Sequence, residues 1–266
     1  MSSETFHALV TGASSGIGAA IAREYARRGV SLVLTARRED RLQALAQELG
    51  GQVDCVVVAA DLADPAAPKY LFDQLAERGI RVGTLVNNAG YGVPGNYLSS
   101  PWETHAAFMQ VMVTAASELT WRFLPQIRAS GRGRILNVAS FAGLLPGSNG
   151  QTLYAGSKSY LIKFTESLAL ENARYGVNAC ALCPGFTYSE FHDVTGTRGL
   201  VSQLPKWMWL QTDDVARLGV EGVESGRVMV VPGFGYKLMR AVYKYLPDAV
   251  VRRMMAKKSG SIRDGR

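Results

Sequence analysis

A doubly wound α/β fold built as one domain is what the chain predicts, and three observations carry that prediction. Short apolar runs alternate with helical patterns over the first two-thirds of its 266 residues. Several runs are continuous and β-branched, as in Val56-Val57-Val58, which a parallel sheet with helices on both faces requires. The first run ends in a glycine-rich turn that opens onto an amphipathic helix. Hydrophobic residues are 47% of the chain and charged residues 19%, ample for one large core.

Seven strands are expected, over residues 7–11, 31–35, 54–59, 84–87, 134–137, 178–183 and 227–231, each separated from the next by helical pattern or turn. Ser100-Pro101-Trp102-Glu103 places a cap, a proline at the first helical position and a capping-box glutamate in order, so a helix should begin there. Residues 186–210 have weak periodicity and many turn formers and read as a lid. The body therefore spans 1–232 with its lid, and 233–266 form a separate C-terminal segment.

The net charge of +7 is not spread over the molecule. Residues 231–266 hold nine basic and two acidic side chains, which is the whole excess, while the first 230 hold 20 of each. A neutral body argues against a nucleic-acid-binding face. Cys55, Cys180 and Cys183 are too few for a disulfide scaffold. Cys180 and Cys183 have C-x-x-C spacing, but within a strand residues three apart face opposite ways, so no metal site is expected. His7, His105 and His192 are scattered, and only His192, in the lid, is a candidate substrate contact. Nothing at the start reads as a signal peptide and no run approaches the roughly 18 apolar residues of a spanning helix, so the cytoplasm is the expected compartment.

Thr11-Gly12-Ala13-Ser14-Ser15-Gly16-Ile17-Gly18 closes the first strand. Its glycines suit a tight turn whose backbone N–H groups approach a pyrophosphate at a helix N-terminus, as in a Rossmann-type fold, although such a turn alone can be merely tight. The second strand runs into Ala36-Arg37-Arg38. Ala36 stands where an acid would bind the adenosine ribose of NAD, whereas Arg37, aided by Arg38, can offer a planar fork to a 2′-phosphate. Both arginines could instead be solvated at a helix start. Tyr154 and Lys158 lie at i and i+4 on one helix face, where a cation should lower the phenol pKa toward neutrality; such pairs also occur on ordinary surfaces. Ser140, after the fifth strand, points a hydroxyl into the crevice where open α/β sheets bind ligands.

Together these residues make the chain resemble the short-chain dehydrogenase/reductase family from about Phe6 to Ser189. Asp61-Leu62, Asn87-Asn88-Ala89-Gly90 and Pro184-Gly185 fall in family order with the glycine turn, Ser140 and Y-x-x-x-K. The resemblance implies Asp61 and Leu62 near the adenine, Asn87 and Asn88 supporting the cofactor-side strand, and Pro184, Gly185 and Ser189 near the nicotinamide carboxamide. It also implies that Lys158 binds the nicotinamide ribose, and it suggests a homo-oligomer. One position departs. Where the family carries an asparagine that holds a helix bend and positions a relay water, this chain has Met112. The backbone carbonyl can keep the relay in weaker form, Gln110 or Thr114 can substitute, or catalysis is impaired.

The expectation is an NADP-dependent oxidoreductase that interconverts a small-molecule carbonyl and alcohol, with Ser140, Tyr154 and Lys158 catalytic. Phe141–Pro146, Tyr91 and the lid residues Phe186, Phe191, Trp207, Met208 and Trp209 suggest a hydrophobic substrate, though part of this content could be lid packing or a subunit contact. The alternative is a cofactor-binding regulatory or scaffolding protein with little turnover. In the basic segment, Lys237, Arg240 and Lys244 recur on one helical face, with Leu238, Met239, Val242 and Leu246 toward the other. That apolar face either packs on the body or a second subunit, or the segment contacts an anionic membrane or guides an anionic substrate.

Overall fold

Every expected strand forms, and all seven join one parallel sheet in the order β3-β2-β1-β4-β5-β6-β7. The computed structural model describes residues 5–147, 149–150, 152–190, 205–247, 249–251 and 253, without the Lys244 side chain. The strands are β1 (Phe6–Thr11), β2 (Leu32–Thr35), β3 (Cys55–Val57), β4 (Arg81–Asn87), β5 (Arg134–Val138), β6 (Asn178–Leu182) and β7 (Met229–Val230). The order reverses between β1 and β4, which leaves a crevice beyond their carboxyl ends.

Helices α1 (Gly16–Arg27), α2 (Glu39–Leu49), α3 (Ala67–Glu77), α4 (Trp102–Met109), α5 (Ala115–Ala129), α6 (Thr152–Asn172), α7 (Thr212–Glu224) and α8 (Phe234–Tyr245) connect the strands or follow them. The period of two in β1 explains the layers. Ala8 and Val10 point into one core with Ile21 and Tyr25 of α1, Leu42 of α2 and Val220 of α7. Leu9 points into the other, with Leu71 of α3, Phe123 of α5 and Leu168 of α6. The same alternation separates the two cysteines: Cys180 belongs to the first core, whereas Cys183 packs with Phe141, Leu161 and Tyr236.

Two local expectations need correction. Pro101, not Ser100, is the N-cap of α4, because its ψ of 159° is still extended and Trp102 is the first helical residue. In α8 the buried stripe is Tyr236, Met239 and Tyr243, while Leu238 and Val242 face outward. The aromatic residues bury more area, and the Tyr236 hydroxyl finds partners inside, donating to Met208 O at 2.7 Å and accepting from Phe186 N at 2.9 Å.

Candidate active site

The turn between β1 and α1 is held from β4. Gly12 and Gly16 have φ of 65° and 56°, in the left-handed region that favours glycine. A methyl group on Gly18 would lie 2.3 Å from Gly12 O, so the helix can enter this close only without a side chain. Asn88 Nδ2 donates to Thr11 O at 2.9 Å and Gly12 O at 3.2 Å, while Thr11 Oγ1 accepts from the backbone N–H of Asn88 and Ala89. Arg38 lies over the turn, donating to Ser15 Oγ at 2.9 Å and Ser14 Oγ at 3.1 Å. Arg37 is exposed. Burial raises the Tyr91 phenol while Arg37 lowers it and Asp61 raises it further, so both charges lie within electrostatic reach of that ring. A cradle of close backbone with the Arg38 guanidinium over it fits the pyrophosphate of a nicotinamide dinucleotide.

Ser140, Tyr154 and Lys158 converge at the end of β5. Ser140 caps the short turn Phe141–Leu144, accepting from Ala142 N at 3.2 Å, and its side chain hydrogen-bonds Tyr154. Gly143 lets α6 approach: a methyl group there would meet the Lys158 carbonyl carbon at 2.7 Å and Ser159 N at 2.8 Å. Lys158 is 4% exposed and donates to Val138 O at 2.8 Å. The predicted fall in the Tyr154 pKa is not what the site produces. Burial pushes the phenol up to about 12, with the Ser140 hydrogen bond pulling the other way. Lys158 Nζ is 5.8 Å from the ring centroid and is itself pushed down to about 8 by burial, so desolvation sets the direction of both shifts. At neutral pH Tyr154 is a phenol, the form that donates a proton to a carbonyl oxygen.

Met112 is 1% exposed, and its sulfur lies 2.9 Å from where a methyl group on Gly90 would sit, a point itself 3.6 Å from Lys158 Nζ. The bend survives the missing asparagine as a π turn over Gln110–Thr114, with Ala115 N donating to Gln110 O. Thr114 is exposed and does not replace the asparagine side chain. Gln110 Nε2 is buried without a partner among the described residues.

The remaining predicted positions divide into tie and wall. Asn87 Nδ2 donates to Asn137 Oδ1 at 2.8 Å, and Asn137 Nδ2 donates to Thr165 Oγ1 at 2.8 Å, a buried chain joining β4, β5 and α6. Leu62 is buried in the second core, and Asp61 is exposed and accepts from Ala63 N. Phe141 N donates to Pro184 O at 2.8 Å. A methyl group on Gly185 would sit 1.8 Å from the Tyr236 ring, and one on Gly16 would be 3.2 Å from Ser189 Cβ. Ile17 packs on the first core. Thr11 stood in the glycine motif with no role assigned to it, and Asn137, Thr165 and Tyr236 were not read as site residues; for Tyr236 the i, i+3, i+7 run with Met239 and Tyr243 was the available signal.

A narrow cleft beside Tyr154, of about 10 Å³ and so with room for little more than a water molecule, is lined by Val93, Asn96, Tyr97, His105, Phe108, Thr152 and Leu153. None of the described residues expected to line the substrate borders this cleft. Phe141 is 6% exposed and packs edge-on against Tyr236, and Trp209 stacks on Tyr188 at 4.8 Å. His105, read as incidental, is in the cleft wall, with Nε2 2.8 Å from Tyr97 O. The base of the lid is stitched by Leu210 N to Phe186 O at 2.8 Å and Tyr188 N to Leu210 O at 3.0 Å. Phe191 and His192 lie outside the described residues.

A short chain dehydrogenase profile matches residues 6–197. The chain belongs to the short-chain dehydrogenase family. As a member it is an oxidoreductase of carbonyl or alcohol substrates, in a family that typically uses a nicotinamide dinucleotide. Oxidoreductase UcpA of Salmonella typhimurium is 37% identical over 180 residues, which cover 67% of this chain and 68% of that protein. An uncharacterized oxidoreductase of Myxococcus xanthus is 33% identical over 254 residues, 93% of this chain and 96% of its own. Among solved structures, a short-chain dehydrogenase from Sphingobium yanoikuyae in complex with NADPH superposes with a TM-score of 0.79 at 29% identity, covering 92% of this chain and 97% of that one.

Proposed function

We propose that this short-chain dehydrogenase is an NADP-dependent carbonyl reductase for a hydrophobic substrate. The observation that carries the reading is Tyr154, hydrogen-bonded to Ser140 and one helical turn from Lys158; the small cleft beside it sets Val93, Phe108 and Leu153 among Asn96, Tyr97, His105 and Thr152. A bound nicotinamide dinucleotide supplies the hydride. Tyr154 holds the proton destined for the carbonyl oxygen, Ser140 polarises that oxygen, and Lys158 carries the positive charge that steadies the phenolate left behind. Arg38 on Ser14 and Ser15, with Arg37 exposed nearby, supports selection of a 2′-phosphate, as does the NADPH bound to the Sphingobium relative. Gly12, Ser14, Ser15, Gly16, Ile17 and Gly18 would hold the pyrophosphate side, Asp61 and Leu62 the adenine, and Asn88, Ala89, Gly90, Pro184, Gly185 and Ser189 the nicotinamide side. We place the enzyme in a reducing cytoplasm, and Trp121 of α5, 72% exposed on the face where Tyr160 of α6 reaches Ser117, supports a homo-oligomer.

The test is cofactor choice. Arg37→Ala and Arg38→Ala are each expected to weaken NADPH binding about tenfold while changing NADH binding little, since a charge-assisted contact to the 2′-phosphate has no counterpart in NAD. Equal losses for both cofactors, or a wild type that prefers NADH, would contradict the assignment.

A specific feature favours a membrane contact in addition. Phe234, Leu238, Val242 and Tyr245 form an outward stripe on α8, respectively 81%, 55%, 48% and 81% exposed, and Lys237 and Arg240 are exposed beside it. An apolar stripe next to cations suits an anionic lipid surface. No helix among the described residues is long and apolar enough to cross a membrane.

A further inference from the structure

The entry to the lid carries an acid that reaches the glycine-rich turn. Glu190 accepts from Arg41 Nη1 through both carboxylate oxygens, at 2.7 and 2.8 Å, and from Arg38 Nη1 at 3.1 Å. The Nη2 of that same Arg38 is the group bound to Ser15 and Ser14. One residue earlier, Ser189 passes over Gly16. Arg38 is therefore shared between the turn that would receive the dinucleotide and the first residues of the lid, and its ionic partner is a carboxylate. Folding does not demand this cluster. The Arg38, Arg41 and Glu190 side chains are 39%, 44% and 43% exposed, and ion pairs that open to water contribute little to stability. The pairing does hold the Glu190 carboxyl below the usual carboxylate range, through Arg41 first and Arg38 second, so it is an anion throughout the physiological range.

We propose that Glu190 is a specificity-determining residue that competes with the 2′-phosphate of NADP(H) for the Arg38 and Arg41 guanidinium groups. The inference rests on the NADP reading above. Two anions around one guanidinium repel each other, so binding of the phosphate and retention of the Glu190 contact oppose each other by the same factor. The carboxylate thus tempers a strongly cationic patch. It lowers affinity for both redox forms of the phosphorylated cofactor and keeps release fast, a step that limits turnover in many enzymes.

Titration of the full chain with NADPH, NADH, 2′,5′-ADP and 5′-AMP tests this without any substrate. Glu190→Gln is expected to tighten NADPH and 2′,5′-ADP by about two- to fivefold, as for loss of a half-exposed ion pair, to slow NADPH release to match, and to leave NADH and 5′-AMP unchanged. The gain should fade at high salt. Glu190→Ala must give the same sign, which separates loss of the charge from a local packing effect. A wild type that binds 2′,5′-ADP no better than 5′-AMP would overturn the NADP reading and this inference with it. A wild type that prefers 2′,5′-ADP, with variants that bind it no tighter or more weakly, would overturn the competition alone.

Discussion

Lys158 shows how a residue that is costly to the fold can be given a use in the chemistry proposed above. Its pKa falls from 10.5 to about 8 because folding disfavours the buried ammonium. Between those values the unfolded chain holds a proton that the folded chain has lost, so this residue makes stability rise with pH across that window; below about 8 its full penalty applies. The shift corresponds to about 3 kcal/mol at neutral pH, against roughly 1.5–3 kcal/mol for a bond from a charged donor such as the one to Val138 O. Lys158→Met is therefore expected to melt close to or above wild type at pH 7, to lose ground against it as pH rises beyond about 8, and to be inactive. Thermal melts from pH 7 to 9, read beside turnover, check it; a variant less stable at every pH would contradict the account. That Tyr154 and Lys158 share a helix face was legible from their spacing, and that Ser140 ends a strand from the apolar run before it; neither reveals that the three meet at one point. The direction of the Tyr154 shift was not, because spacing reveals the neighbouring cation but not how much water the fold removes.

At the scale of elements, the strands were legible because both faces of the sheet are buried and their apolar runs are continuous, whereas the helix faces were only partly so. Both Leu238 and Tyr236 are apolar enough for a core stripe, and tertiary partners for the Tyr236 hydroxyl decide which turns inward. The cleft wall from Val93 to Tyr97 has no periodicity to read. Gly143 is the joint between the Ser140 turn and α6. Gly143→Ala should push α6 away, since the new methyl would meet backbone rather than a yielding side chain, lowering stability by about 1–3 kcal/mol and turnover with it. A melt and a turnover measurement check this, and an unaltered variant would show that α6 has room to spare. The π turn that persists around Met112 leaves only the side chain in question. Met112→Asn is expected to raise turnover by giving Lys158 a polar neighbour, at a lower melting temperature if the amide finds too few partners. Unchanged turnover in a folded variant would remove the side chain from the mechanism.

For the whole molecule, the charge asymmetry between body and tail was legible from counting alone, but what the tail covers was not. The outward stripe of α8 makes that testable: co-sedimentation with phosphatidylglycerol vesicles should be salt-sensitive and should be lost in Leu238→Ser/Val242→Ser, which leaves Tyr236 in place. Binding that is indifferent to the stripe, or absent in wild type, would remove the membrane from the account. The central claim is that Tyr154 donates the proton in an NADPH-dependent carbonyl reduction. It is tested most directly by NADPH oxidation over steroid, aromatic, aliphatic and acyl-thioester carbonyls, comparing wild type with Tyr154→Phe and measuring NADPH affinity for both. The account predicts a wild type active on hydrophobic carbonyls and a variant that binds NADPH nearly as well but turns over at least about a hundredfold more slowly. Near-wild-type turnover in the variant, or a wild type that binds NADPH and reduces nothing in the panel, would contradict it.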